Sequence, residues 1–221
     1  CACSVGVKSK RFFVGTTNTV FSIDQDGKID DVLDVDGTVG SLFAFGDALY
    51  AQVFAPDTRY TKYRKNKVVK ITKDREVSTI AQDVYSLDAN ICEFDGKLVY
   101  PGVNDGEFGL YDMNMEAGLP PVKYDLPTVT HIRSWGDELW TVHGGMDIAV
   151  WRFVPDEYLV NVENITMDSE ISDLVVDGDV FVVAFVDGTV EKHNRFRQTK
   201  TVFANHKSGP VALAESVSLG V

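Results

Sequence analysis

One stretch of the 221-residue chain concentrates groups able to bind anions. It runs FAPDTRYTKYRKNK from Phe54 to Lys67, and interleaves Arg59, Lys62, Arg64, Lys65 and Lys67 with Tyr60 and Tyr63. Basic side chains neutralise phosphate or carboxylate groups, and tyrosines between them offer stacking surface. The stretch therefore predicts a binding site for an anionic group of a partner, made of Arg59, Tyr60, Lys62, Tyr63, Arg64, Lys65 and Lys67. The alternative is a solvated hairpin whose lysines keep a sheet edge soluble, or pair with acids of the same chain. The surroundings sharpen the contrast, because the formal net charge of the whole chain is -12. Such a balance opposes general nucleic-acid and anionic-membrane affinity, since like charge repels phosphates on approach.

Acidic residues form a second candidate set, in the loops expected on the same side as that stretch: Asp83, Asp88, Asp105, Asp147, Asp168 and Asp187, with His143 and His206 near them. Asp before Gly is explained by backbone bonding within a turn, and no D-x-D-x-D-G calcium loop occurs. No residue is assigned to a metal on this basis, and no cofactor is implied. His131, His143, His193 and His206 sit in no nucleophile elbow, HExxH helix or Cys-paired arrangement, so no catalytic residue is assigned. Phosphate-cradling GxGxxG and Walker loops are absent. Cys92, inside ICEF, reads as a small core residue. Three cysteines make no disulfide framework, and reduced, intracellular thiols are the simplest reading. A start at Cys1 without Met fits a trimmed chain, a fragment or a processed protein. Asn164-Ile165-Thr166 is a glycosylation acceptor only if the chain is secreted.

The elements that position these residues are strands. Val, Thr and aromatic residues are abundant, and no apolar run reaches the roughly 18 residues of a membrane-spanning helix. Ile171 to His193 shows the unit: an apolar run, the turn Asp177-Gly178-Asp179, a second run, Asp187-Gly188 and a third strand. Gly tolerates the positive φ of such turns and Asp bonds its own backbone there. The same marker recurs at Gly46-Asp47, Asp95-Gly96, Gly136-Asp137 and Gly178-Asp179, roughly 40 to 50 residues apart, the spacing of propeller blades. A second marker keeps step with it: a polar turn before a third strand at Thr17-Asn18, Asn66, Asp105-Gly106, Met146-Asp147 and Asp187-Gly188. Weaker fourth strands follow in KIDDVL, EVSTIA and KTVFA.

The expectation is an all-β fold, a single β-propeller domain over 1–221 made of four-stranded blades. About five are complete, near 2–36, 37–81, 82–125, 126–166 and 167–205. A β-sandwich or two small barrels do not account for paired markers at constant spacing. The tail 206–221 reads as the start of a further blade, as a strand clasping the N-terminus near Ser4 to Val7, or as an edge completed by a partner.

Third strands such as AVWRF, GLYDM and VFSID resemble those of WD-repeat propellers, with Trp151-Arg152 and Tyr111-Asp112 approximating the Trp-Asp pair of that family. The resemblance covers nearly the whole chain and implies a non-catalytic protein-binding scaffold, with the 54–67 loop on its upper face. Lactonase-type and quinoprotein-type propellers are the competing resemblances. The former implies carboxylates converging on a central channel to hold calcium, and a hydrolase or lyase acting at its mouth.

Overall fold

A computed structural model of the chain describes residues 2–3, 12–24, 26–45, 48–54, 64–86, 91–104, 107–113, 122–124, 129–154, 158–206 and 209. The regular structure of these residues is entirely β. Strands β1 (Ala2–Cys3), β2 (Phe12–Gly15), β3 (Thr17–Ile23), β4 (Ile29–Phe45), β5 (Ala48–Phe54), β6 (Arg64–Ile71) and β7 (Val77–Ser86) follow one another in antiparallel pairs. Next come β8 (Cys92–Phe94), β9 (Lys97–Asn104), β10 (Glu107–Met113) and β11 (Val122–Tyr124). The sequence then continues with β12 (Val129–Trp135), β13 (Glu138–His143), β14 (Asp147–Val154) and β15 (Tyr158–Thr166). It closes with β16 (Ile171–Asp177), β17 (Val180–Phe185), β18 (Thr189–Asn194) and β19 (Thr199–Asn205). Two compact units result, one centred on β1–β11 and the other on β12–β19.

In the first unit the strands form one continuous hydrogen-bonded path, and β4 shows how. Its first part pairs with β3 through Asp31, Val32, Leu33 and Asp34, and its second part pairs with β5 from Thr38 to Phe45. Between them the backbone turns a corner at Asp36 and Gly37, whose φ values are 49° and 138°. Only glycine adopts the second of these readily, and a Cβ on Gly37 would lie 2.5 Å from the Phe54 carbonyl oxygen. One long strand thus serves two successive sheets.

The partner of its second part, β5, is buried on both faces. Every residue of β5, ALYAQVF, is buried. Leu49, Ala51 and Val53 join Val20, Val39 and Leu42 in one core, while Ala48 and Tyr50 join Val68, Leu98 and Tyr100 in another. A strand covered on both sides needs a near-continuous apolar run rather than alternation, which is what β5 carries apart from Gln52. The β8–β9 turn has positive φ at both Asp95 and Gly96, 51° and 67°, the requirement of a two-residue hairpin whose twist matches its strands.

The second unit consists of two four-stranded antiparallel sheets, β12 to β15 and β16 to β19. Trp140, Val142, Ile148 and Val150 of the first meet Ile171, Leu174, Val176, Phe181, Val183 and Phe185 of the second in one core. Trp140 and Phe181 lie 5.3 Å apart between ring centroids, within the range of favourable aromatic pairs.

A repeat appears in the registers themselves. In β4 the pairing with β5 skips one residue between Val39 and Ser41; in β12 it skips one between Val129 and His131; in β16 one between Ile171 and Asp173. Gly40, Thr130 and Ser172 are the extra residues. Each bulge is followed by a buried Leu42, Ile132 or Leu174. The three strands are therefore built alike down to a one-residue irregularity, as copies of one unit would be.

Candidate functional site

Phe54 ends β5 and Arg64 begins β6, so the basic, tyrosine-bearing stretch connects two neighbouring hydrogen-bonded strands. Arg59, Tyr60, Lys62 and Tyr63 lie outside the described residues. Arg64 and Lys65 belong to β6. Lys67 is placed in full: its Nζ lies 3.4 Å from Asp36 Oδ2, on the β4 corner. That carboxylate is 95% exposed, so the pair is worth little to stability. The corner, the end of β5 and the start of β6 therefore share one end of the sheet, where Thr38 pairs with Phe54 and Phe54 with Asn66.

Directly inward from that end sits a group of polar side chains. Ser41 is opposite Gln52, and Gln52 is opposite Val68, so all three share a face. Asn66 is opposite Phe54, two residues from Gln52, and shares that face too. Val68, beside Gln52, and Tyr50 further along bring that face into an apolar core. Gln52 is fully buried and Asn66 is 3% exposed. Both atoms of each amide, together with Ser41 Oγ, are buried without a hydrogen-bond partner. Such groups usually find partners, because an unanswered buried amide costs roughly 1–3 kcal/mol.

The second unit handles its buried polar groups differently. Glu138 Oε1 accepts from Arg152 at 2.9 Å and Arg195 at 3.0 Å. Its Oε2 accepts from Arg195 at 2.8 Å and from the Trp140 indole at 3.2 Å. The Arg195 Nε donates to Glu163, and its guanidinium lies 5.3 Å from the Trp140 ring centroid. Burial pushes the Glu138 carboxyl up, but the hydrogen bond and charge of Arg195, helped by Arg152 and Trp140, hold it below the usual glutamate range. Burial pulls Arg195 down, and Glu138 and Glu163 more than restore it, so the guanidinium is held above its ordinary value. This is a multiply bonded ion cluster between two sheets, and each member is answered. Nearby strands β12 and β16 are joined by Arg133 and Asp173, 2.5 Å apart, with Asp173 also accepting from the Leu174 N–H.

The histidines separate in the same way. His143 Nε2 lies 2.6 Å from Thr141 Oγ1, a distance suited to a base and a hydroxyl nucleophile. The hydroxyl, however, is fully buried and also accepts from the Trp151 indole at 2.7 Å. The hydroxyl also reaches the Ala149 carbonyl at 3.3 Å, so the arrangement holds β13 to β14. His193 stacks on Phe181 at 4.9 Å and meets Glu191 at 2.9 Å, beside a groove of about 390 Å³ that Glu163, Arg195 and Lys200 also line. The groove's cations are committed, Arg195 to Glu138 and Glu163, and Lys200 to Asp168 at 3.0 Å.

Among the described residues, the members of the acidic set do not converge. Asp147 accepts from the Thr166 hydroxyl, Asp168 pairs with Lys200, and Asp187 takes the Thr189 backbone N–H. Asp83 lies in β7, while Asp88 and Asp105 fall outside the described residues. Among the described residues no group of three His, Cys, Asp or Glu side chains is placed to hold a metal. No helix there is long and apolar enough to cross a membrane. Cys92 is buried and in no disulfide. Of the tail, only Gly209 is described.

Sequence reasoning missed Glu138, Arg195 and the Ser41, Gln52, Asn66 group. Arg195 and Glu138 are 57 residues apart, so no local pattern joins them. Gln52 did carry a signal, as the one polar residue in ALYAQVF.

The sequence matches no family model and no curated protein. Solved structures are similar to it in backbone. A structure described as streptogramin B lyase superposes with a TM-score of 0.62 at 14% identity, covering 91% of this chain and 67% of that one. PorZ is described as an essential bacterial surface component of the type-IX secretion system of Porphyromonas gingivalis. It superposes with a TM-score of 0.61 at 13% identity, covering 94% of this chain and 29% of that one. Identities this low speak for fold and not for activity. The chain has the all-β, propeller-like fold of these neighbours.

Proposed function

We propose that the chain is a non-catalytic protein-binding scaffold whose recognition element is the basic, tyrosine-bearing loop 54–67. The observation that carries this reading is the mounting of the loop. It springs from β5, a strand buried along its whole length, next to a corner that only Gly37 allows. A rigid root lowers the ordering cost of binding. The partner is a protein segment bearing carboxylates or other anionic groups, drawn to the basic side chains of an otherwise acidic chain. The blades run near 2–36, 37–81, 82–125, 126–166 and 167–205, as degenerate repeats of the WD-repeat kind, and 206–221 begins a further blade or closes onto the N-terminus.

The test is binding to an array of acidic twelve-residue peptides. Replacing Arg59, Lys62, Arg64 and Lys65 together by Ser should remove most of the captured signal and flatten its dependence on salt, with the melting temperature unchanged. Unaltered capture by the folded variant would take the loop out of the account. A calcium-dependent hydrolase or lyase activity at the channel mouth is the competing reading, and it requires bound calcium in native mass spectra, lost on chelation together with thermal stability.

A further inference from the structure

We infer that β19 of one copy of this chain pairs edge to edge with the first part of β4, residues 29–35, of a second copy, joining copies head to tail. The surface is separate from the 54–67 loop and does not depend on the reading of that loop.

β19 is the last strand of its sheet, and among the described residues no strand pairs with its far side. All seven of its residues, TKTVFAN, are exposed. An open edge is a template for another strand, and natural edges are blunted by charge, by brevity or by cover. β15, the matching edge of the neighbouring sheet, sets Asn161, Glu163 and Asn164 among its apolar residues. The one charged residue of β19 is Lys200, committed to Asp168 at 3.0 Å. The strand shows Val202 and Phe203 to solvent, the latter 74% exposed. Phe196, in the turn between β18 and β19, is 72% exposed. Two phenylalanines this open on one hairpin mark a contact surface.

Charge chooses the occupant. The hairpin of β18 and β19 carries Lys192, Arg195, Arg197 and Lys200 against Glu191, in a chain of net charge -12. Lys192 and Arg197 are exposed. A second β19 would set these cations against their like. The first part of β4 is the complement: it reads IDDVLDV and holds Asp30, Asp31 and Asp34. It pairs with β3, and no described strand lies along its other side. Its Ile29 and Val32 are 55% and 64% exposed. Alternate residues of an edge strand turn their N–H and C=O outward, so pairing joins main-chain hydrogen bonds to apolar contact and opposite charge. Two different edges meet, so a pair of copies leaves one edge of each kind unmet, and copies close into a ring or extend. Two edge strands bury less than the roughly 1,200 Å² of a stable complex, which makes the association weak and concentration-dependent.

The experiment is sedimentation velocity of the full chain from about 5 to about 500 µM. Wild type should move from monomer to larger species as concentration rises, and less so in high salt. Phe203→Glu and Val32→Lys, both at exposed positions, should each weaken self-association about tenfold or more. Mixed, the two variants should restore a dimer and nothing larger, because the first keeps an intact β4 edge and the second an intact β19. A wild-type monomer at every concentration would overturn the inference. So would association that survives either substitution alone, which belongs to like edges or to another surface, or a mixture of folded variants that restores no dimer. The wild-type concentration series needs no variant to fold.

Discussion

Six polar or charged residues are buried among the described residues, three in each unit, and the units treat them oppositely. In the second, Glu138 accepts four hydrogen bonds from three residues, Thr141 bridges β13 and β14, and Asp173 holds Arg133 and a backbone N–H. In the first, Ser22 Oγ and both amides of Gln52 and Asn66 have no partner. A closed polar network fixes a structure, because removing any member strands the others in a low dielectric. An open one leaves unmet hydrogen bonds, each a cost to the fold. Buried polarity thus adds cohesion in the second unit and costs stability in the first.

The largest effect should come from opening the closed network. Glu138→Leu leaves the Arg152 and Arg195 guanidiniums without their common acceptor, and unfolding of the second unit should become easier by about 3–5 kcal/mol. Chemical denaturation followed by the fluorescence of Trp140, buried in that core, reads it. A loss below about 1 kcal/mol would mean that the cluster is decoration.

Next in size is the corner. Gly37→Ala forces a Cβ to within 2.5 Å of the Phe54 carbonyl at a φ of 138°, which should cost about 1–3 kcal/mol. It should also weaken peptide capture, since the strand end that carries the loop must shift. A variant as stable as wild type would show that the loop's root is not rigid.

A smaller effect, of opposite sign, belongs to the open set. Gln52→Leu removes two orphaned atoms and should hold stability or raise it by about 1 kcal/mol. Acid sharpens the contrast further. The Glu138 carboxyl is held below its unfolded value, so its contribution is present above the ordinary glutamate range and is lost as pH falls through the lowered folded value. Thermal melts from neutral to acidic pH should show wild type losing this increment, and Glu138→Gln lacking it at every pH.

The strand order was legible because its signals are local. Asp95-Gly96 and Gly178-Asp179 mark tight turns by residue type alone, and the apolar runs beside them are strands. The corner at Asp36–Gly37 is likewise a short-range event. What escaped depends on register. Gly40, Thr130 and Ser172 become bulges only through the strand opposite; each precedes a turn-marker glycine, Gly46, Gly136 or Gly178, by the same interval, but their residue types share nothing that marks a bulge. The basic stretch was visible as composition, yet the polar set at its root brings Ser41 on β4 to Gln52 on β5 and Asn66 on β6. Only strand pairing unites them. Gln52 alone betrayed itself, as an amide inside an apolar run whose pattern asked for another valine or leucine.

The most direct test of the contrast measures the melting temperatures of Gln52→Leu and Glu138→Leu side by side. The account predicts opposite results: Gln52→Leu keeps or gains stability, while Glu138→Leu melts far earlier. A Gln52→Leu variant that loses stability as Glu138→Leu does would contradict it, since the amide would then be a structural group like Glu138.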